Sequence, residues 1–264
     1  MTTTTAPHAS HVAPAPRAGV RRPSLLRLTA VELRKLADTR AGLWLLIIIG
    51  LTTAVIVTLQ LGYAEDAEQT FVNFFVPSLL PVGVLLPVLG ILSITAEWSQ
   101  RTALVTYALV PRRERVVGAK LAAVVVATLA SVVISLAVAA AGTLVAGVTG
   151  GAGRWELGGA LLLHSLVFQL VNVLMGVGFG LLLLNTPLAI VTYLLLPTVW
   201  SIVGGLVPAL QRAAGWLDTG RTMEPLLSDS MTGEQWGRLG VSLLLWVVVP
   251  LALGLVRTLR REVA

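Results

Sequence analysis

The chain has 264 residues, of which 56% are hydrophobic and 12% are charged, whereas an ordinary soluble domain has roughly 45–50% and about 25%. This excess of apolar residues indicates a membrane-embedded protein and argues against a soluble single-domain enzyme. Because the chain contains no cysteine, disulfides, thiolate metal sites and a cysteine nucleophile are excluded. The net charge of +6 would suit a nucleic-acid partner, but the placement of the basic residues decides what it means.

Hydropathy divides the chain into a tail and a membrane domain. Residues 1–23 are rich in Thr, Ala, Pro and His without a helical period, which predicts a disordered cytoplasmic tail. Residues 24–264 are predicted to form one six-helix transmembrane domain, because six apolar stretches reach or approach the ~20 residues that cross a ~30 Å hydrocarbon core. A five-span alternative, in which 157–208 is partly re-entrant, stays open. The six predicted spans are 42–62, 71–95, 118–147, 157–184, 188–208 and 238–256.

The basic residues are distributed unequally between the two sides of this predicted topology. Fifteen of the 19 Lys and Arg residues fall before the first span, after the second or after the sixth, whereas eight of the 13 acidic residues fall on the other side. Because cytoplasmic loops carry an excess of Lys and Arg, both termini are predicted to be cytoplasmic. The high net charge therefore reflects topology, and nucleic acid is not an expected partner.

The segment before the first span has the pattern of an amphipathic helix. Within 24–40, apolar residues recur on one helical face while most charged residues lie elsewhere around the helix. Such a helix is expected to lie along the cytoplasmic interface, with its cations near anionic headgroups. A plain membrane anchor explains the pattern equally well. The residues of the apolar face are Leu26, Ala30, Leu33 and Ala37.

The connection between the second and third spans, residues 95–120, is predicted to be a short cytoplasmic helix and turn. A helical stretch from Glu97 to Leu109 is broken near Pro111, and a basic cluster follows where the third span begins. Apolar and charged groups side by side at a membrane exit suit docking to a soluble partner.

Three motifs in a fixed order resemble a known family. ELRKLADTR before the first span, AEWSQRT after the second and PRRERVVGAK leading into the third resemble the permease subunit of a type-2 ATP-binding-cassette (ABC) transporter, particularly the actinobacterial kind. The resemblance covers the chain from about Glu32 to Glu262. It implies an exporter in the plasma membrane of a bacterial cell, in which two six-span permeases, identical or similar, are energised by a separate pair of ATPase subunits. ATP and Mg²⁺ would then be bound by those partners, and this chain would be neither an enzyme nor a cofactor-binding protein.

The same resemblance implies a coupling surface for the ATPase at the end of the second span. Glu97 and Arg101-Thr102 match the acidic residue and the turn of the family, although position 101 is Arg where many members have Gly. Alternatively, Glu97 is an interface carboxylate satisfied by local donors or by Arg101 at i+4. The residues assigned to coupling are Glu97, Arg101, Thr102, Thr106, Arg112 and Arg113.

A stripe of polar and small residues runs along the fourth span. Its members recur at i, i+4, i+7, i+11 and i+15 and therefore share one helical face. A face of this kind is not expected to meet lipid, so it either packs against another helix or lines a transport path. The stripe consists of Ser165, Gln169, Asn172, Gly176 and Gly180.

Several chemistries have no sequence support. The chain has no G-x-x-x-x-G-K-[ST] motif, so any ATP hydrolysis is expected on a partner. The alternative function is a secondary transporter or channel without an ATPase, which predicts carboxylates within the spans, whereas each Asp and Glu here lies near or beyond a span end. Because no charged pocket is predicted, an amphipathic or hydrophobic substrate is favoured over a free ion.

Overall fold

The computed structural model describes residues 23–100 and 112–260. These residues are 88% helical with no strand among them, and six helices are long and apolar enough to cross a membrane. The predicted all-α, six-helix membrane fold is therefore confirmed. Arg101, Thr102 and Thr106 of the predicted coupling surface lie outside the described residues, as does the tail up to position 22.

Eleven segments follow one another along the described chain, and the last three form one continuous span. Three short 3₁₀ turns, Asp66–Glu68, Pro208–Leu210 and Glu224–Leu227, lie in the connections. The segments are α1 (Leu25–Asp38), α2 (Arg40–Tyr63), α3 (Phe71–Ser99), α4 (Arg113–Thr149), α5 (Gly159–Leu183), α6 (Thr186–Leu206), α7 (Gln211–Leu217), α8 (Thr219–Met223), α9 (Gly233–Leu243), a π-helical turn (Leu244–Val248) and α10 (Val249–Arg260).

Capping residues explain where the helices differ from the hydropathy-based boundaries. Thr39 ends α1 and also caps α2 by accepting a hydrogen bond from the Gly42 amide at 3.1 Å, so the predicted helix over 24–40 ends two residues early. The sixth span begins at Gly233 rather than 238 because Thr232 and Gln235 form a capping box there. The third span is the exception: it begins at Arg113 rather than 118 without a side-chain cap, and Arg113 donates to the Thr258 carbonyl of α10.

A tight turn joins α5 to α6 as expected from Pro187. Leu184 adopts a left-handed conformation with φ of 51°, which ends α5. The Asn185 side chain then accepts a hydrogen bond from the Leu188 amide at 3.1 Å and caps α6. Because each of the two helices is long enough to span a bilayer, the structure favours six spans over five.

Helices α3 and α5 form the centre of the bundle, and α2 and α6 lie at its edge. The apolar stretches of α3 and α5 are the most buried among the six spans, whereas those of α2 and α6 are largely exposed on the outside of the bundle. Helix α10 also packs closely on α5, because Gly254 has no side chain: a Cβ at that position would lie only 2.6 Å from Leu181 Cβ.

Polar contacts distinguish the two ends of the bundle. At one end, which we name the basic end, Arg115 donates to the Pro23 carbonyl at 2.7 Å and Arg113 donates to the Thr258 carbonyl at 3.4 Å. This end holds α1, the end of α3, the start of α4, the α5–α6 turn and the end of α10. At the opposite end, the Phe71 amide donates to the Arg154 carbonyl at 2.9 Å, which joins the start of α3 to the connection between α4 and α5.

Candidate functional site

Four charged side chains from three helices meet at the basic end. Glu32 and Lys35 lie one turn apart on α1, Glu97 lies in the last turn of α3, and Lys120 lies two turns into α4. We name these four residues the charge cluster. Two carboxylates and two ammonium groups balance each other's charge, which is the condition for holding ions away from water.

Lys120 is the centre of the charge cluster. Its side chain is only 6% exposed. The Nζ atom donates to Glu32 Oε2 at 2.6 Å, to the Ser93 carbonyl at 2.9 Å and to Glu97 Oε1 at 3.2 Å. Because an ammonium group has three donors, these partners satisfy it completely. Lys120 therefore joins α1 to α3 and α4 by direct charged contacts.

Lys35 closes the charge cluster from the solvent side. Its Nζ donates to Glu32 Oε1 at 2.7 Å and to Glu97 Oε1 at 2.9 Å, while 45% of its side chain stays exposed. Burial alone would lower the pKa of Lys35, but hydrogen bonds to Glu32 and Glu97 and their negative charges outweigh it, so the pKa is raised above its ordinary value. Lys35 therefore stays positively charged at physiological pH.

The face of α1 that packs on the bundle differs from the apolar face read from the sequence. Glu32 is only 6% exposed, whereas Leu26, on the predicted face, is 84% exposed and Ala30 is exposed as well. The contact between α1 and the spans therefore centres on a buried carboxylate. The predicted apolar face is divided, because Leu26 and Ala30 are exposed whereas Leu33 is half-buried and, with Ala37, lines an apolar groove between α1 and the spans.

The described members of the predicted coupling surface take different positions. Glu97 is held by Lys35 and Lys120, which are distant in sequence, in addition to any local partner. Arg112 is exposed just before α4, and Arg113 is partly buried against the end of α10. The structure thus brings Glu97 into the charge cluster and leaves Arg112 accessible at the same end.

Most of the polar stripe on α5 lies against α3. A Cβ on Gly176 would lie 2.8 Å from both the Cβ and the carbonyl oxygen of Pro87, and one on Gly180 would lie 3.3 Å from Ile91 Cα. Both glycines therefore allow the backbones of α3 and α5 to approach closely. Of the two roles expected for the stripe, these two glycines therefore have the one of helix packing.

The polar members of the stripe are placed differently from one another. Ser165 and Gln169 are fully buried, and Gln169 Nε2 donates to the Leu79 carbonyl at 2.9 Å. Asn172 is half-buried and donates to the Phe168 carbonyl of its own helix at 2.9 Å. Gln169 is therefore the polar member of the stripe that makes a hydrogen bond across to α3, whereas Asn172 bonds within its own helix.

Two side chains that the sequence analysis did not single out satisfy backbone carbonyls of α3. Proline has no amide hydrogen, so Pro77 and Pro87 deprive the carbonyls four residues earlier of their helical donors. Gln60 of α2 donates to the Asn73 carbonyl at 2.7 Å. Similarly, the Tyr193 hydroxyl of α6 donates to the Gly83 carbonyl at 3.2 Å. In the sequence, each proline marks a carbonyl four residues earlier that needs a donor from elsewhere, and this would have pointed to these contacts.

The described residues offer no metal site, because no group of three His, Cys, Asp or Glu side chains converges within 23–100 and 112–260. His164 instead packs at the opposite end of the bundle. Its Nδ1 lies 2.8 Å from the Ser228 carbonyl, and its ring meets Trp236 edge to face at 5.6 Å.

Comparisons with known proteins do not assign the chain to a family. No protein-family model matches it, and no curated protein is significantly similar to it in sequence. The similarity to ABC permeases therefore stays a prediction from the ordered motifs, while the architecture is that of a multi-pass, all-helical membrane protein.

Proposed function

We propose that the chain is the membrane-spanning permease subunit of an ABC transporter, energised by a separate ATPase subunit. In this proposal the basic end faces the cytoplasm of a bacterial cell, and a pair of permeases, identical or similar, works with a pair of ATPases. ATP and Mg²⁺ belong to the partner. The proposal is supported by the order of the three motifs and by the six-span fold.

The charge cluster is the observation that carries this proposal. Lys120 contacts Glu32 at 2.6 Å and Glu97 at 3.2 Å, so α1, the end of α3 and the start of α4 are linked by paired ions. A buried ion pair is costly to break, typically about 3–5 kcal/mol when one partner is removed. A soluble protein that pushes on the α3–α4 connection would therefore move these three helices as one body.

Transport would then follow from alternating access of the helix bundle. Closure of the ATPase pair on nucleotide would press on the basic end, and the bundle would reopen on the opposite side. Outward export is the direction that the family resemblance implies. An amphipathic or hydrophobic substrate fits the apolar interior best.

The alternative is a secondary transporter or channel without an ATPase. Ion coupling usually needs carboxylates within the spans. Among the described residues, the acidic side chains of the spanning helices lie in a first or last turn: Glu97, Glu114 and Glu234. This placement favours a motor outside the membrane over an ion gradient.

Crosslinking from the two ends of the bundle tests the proposal. The chain has no cysteine of its own, so a single cysteine reports one position. Arg112→Cys, exposed at the basic end, should crosslink to an ATPase that copurifies with the chain. Tyr63→Cys, 87% exposed at the opposite end, is the matched control and should not. Equal capture from both positions, or capture from Tyr63→Cys alone, would place the partner elsewhere and refute the coupling role of the basic end.

A further inference from the structure

An apolar groove lies between α1, α2, α3 and α4. Its volume is about 410 Å³, within the ~300–1,000 Å³ of typical ligand pockets. Its lining is almost entirely aliphatic or small. Representative lining residues are Leu36, Leu46, Gly50, Leu86, Val124 and Val138.

The groove is longer than one lipid leaflet is deep. Along α4 its lining extends from Val124 to Val138, which corresponds to about 21 Å at 1.5 Å per residue. One leaflet contributes about half of the ~30 Å hydrocarbon core. Because the groove is about 21 Å long and the leaflet only about 15 Å deep, an acyl chain entering from the leaflet at the basic end has room to lie along the groove through that whole leaflet. There it would make dispersion contacts that loosely packed bulk lipid does not provide.

The entrance of the groove adjoins the charge cluster. Leu36 and Leu89 line both the groove and a second cavity of about 450 Å³, whose wall includes all four residues of the cluster. Among the described residues, the basic end has ten Lys and Arg side chains against four Asp and Glu. The charge cluster itself is neutral, so the excess comes from the other eight cations and two acids of this end. A headgroup at the basic end would therefore experience a positive field, which attracts anionic lipids.

We propose that this groove binds one anionic phospholipid, with an acyl chain between α2 and α4 and the headgroup at the basic end beside α1. The positive charge of the basic end and a groove long enough to hold an acyl chain through one leaflet select this occupant. Lipid binding of this kind goes beyond the proposed transport function and requires no ATPase.

Gly50 provides a way to fill the groove without disturbing the fold. No atom lies within 4 Å of the position that its Cβ would take, so a larger side chain extends into the groove. Gly62, on the same helix but outside the groove, also has no atom within 4 Å. Gly50→Phe is therefore the test variant and Gly62→Phe its matched control. Gly50→Leu is a second, milder groove variant.

Native mass spectrometry of the full chain, delipidated in detergent, measures the binding directly. The probes are phosphatidylglycerol and phosphatidylcholine with identical acyl chains. One phosphatidylglycerol should bind about fivefold more tightly than phosphatidylcholine, equivalent to about 1 kcal/mol at 1.4 kcal/mol per tenfold. Gly50→Phe should weaken phosphatidylglycerol binding by about the same factor or more, and Gly62→Phe should not.

Three results would overturn the proposal. Equal binding by the two glycine variants would show that the groove is not the site. Equal affinity for the two lipids would show that the basic end does not select the headgroup. A change in oligomeric state on Gly50→Phe, with phosphatidylglycerol binding unchanged, would show that a second copy of the chain occupies the groove.

Discussion

Removing the Lys120 ammonium is the sharpest test of the charge cluster. Lys120→Met leaves Glu32 and Glu97 facing the same buried space with Lys35 as the remaining cluster cation. Removal of one partner from a buried ion pair typically costs about 3–5 kcal/mol because a charge is left uncompensated. Lys35→Met is the matched control. Its side chain is 45% exposed, so the expected loss is only about 0–1 kcal/mol.

Denaturant titration of the purified protein, followed by tryptophan fluorescence, measures both losses. The double variant Glu32→Gln/Lys120→Met removes one charge of each sign, so it should be more stable than the sum of the single losses predicts. A coupling of about 0.5–3 kcal/mol is expected for residues in direct contact. If Lys120→Met costs no more than Lys35→Met, or if the double variant is simply additive, the cluster does not hold α1 to the bundle.

Other predictions concern packing, hydrogen bonding and topology. Gly176→Ala places a methyl group against the α3 backbone and should lower the free energy of unfolding by about 1–3 kcal/mol. Gly159→Ala on the same helix meets open space and should not destabilise the protein. Equal thermal unfolding temperatures of the two variants would refute the close contact. Tyr193→Phe removes the donor to the Gly83 carbonyl, which has no helical partner because of Pro87, and should cost about 0.6 kcal/mol of stability. Tyr63→Phe, at an exposed site, is the control, and an equal loss of stability in both variants would contradict that hydrogen bond. A topology reporter inserted near Asp229 and one at the C-terminus should lie on opposite sides of the membrane, and finding both on one side would exclude six spans.

The sequence was sufficient to predict the membrane spans because the bilayer itself imposes their length. All six predicted stretches correspond to helices, and the tight turn before Pro187 follows from the missing amide of proline. Boundaries moved where side chains cap a helix, as Thr39 and Thr232 do. Capping depends on a few local hydrogen bonds that a hydropathy window averages away.

The charge cluster could not be predicted in the same way. Glu32 and Lys120 are 88 residues apart, and Lys35 and Glu97 are 62 apart. No period within one helix relates such residues, so their pairing follows only from how α1 packs across α3 and α4. An apolar stripe on α1 was visible in the sequence. That a glutamate, together with only part of this stripe, faces the bundle is a property of the tertiary structure.

The stripe on α5 was recognised as a face, but its role needed the neighbouring helix. Periodicity places Gln169 and Gly176 together on α5, yet it cannot say what lies opposite them. The structure supplies the Leu79 carbonyl and Pro87 of α3. Similarly, the prolines of α3 were visible in the sequence, whereas the donors that satisfy their freed carbonyls come from α2 and α6.

The most direct test of the central claim is to purify the tagged full chain from its native membranes in mild detergent and to measure ATP hydrolysis by the purified material. The account predicts a copurifying subunit with a nucleotide-binding G-x-x-x-x-G-K-[ST] motif, and hydrolysis that disappears when the lysine of that motif is replaced. A chain that purifies alone and, in vesicles, moves its substrate without ATP would contradict the account.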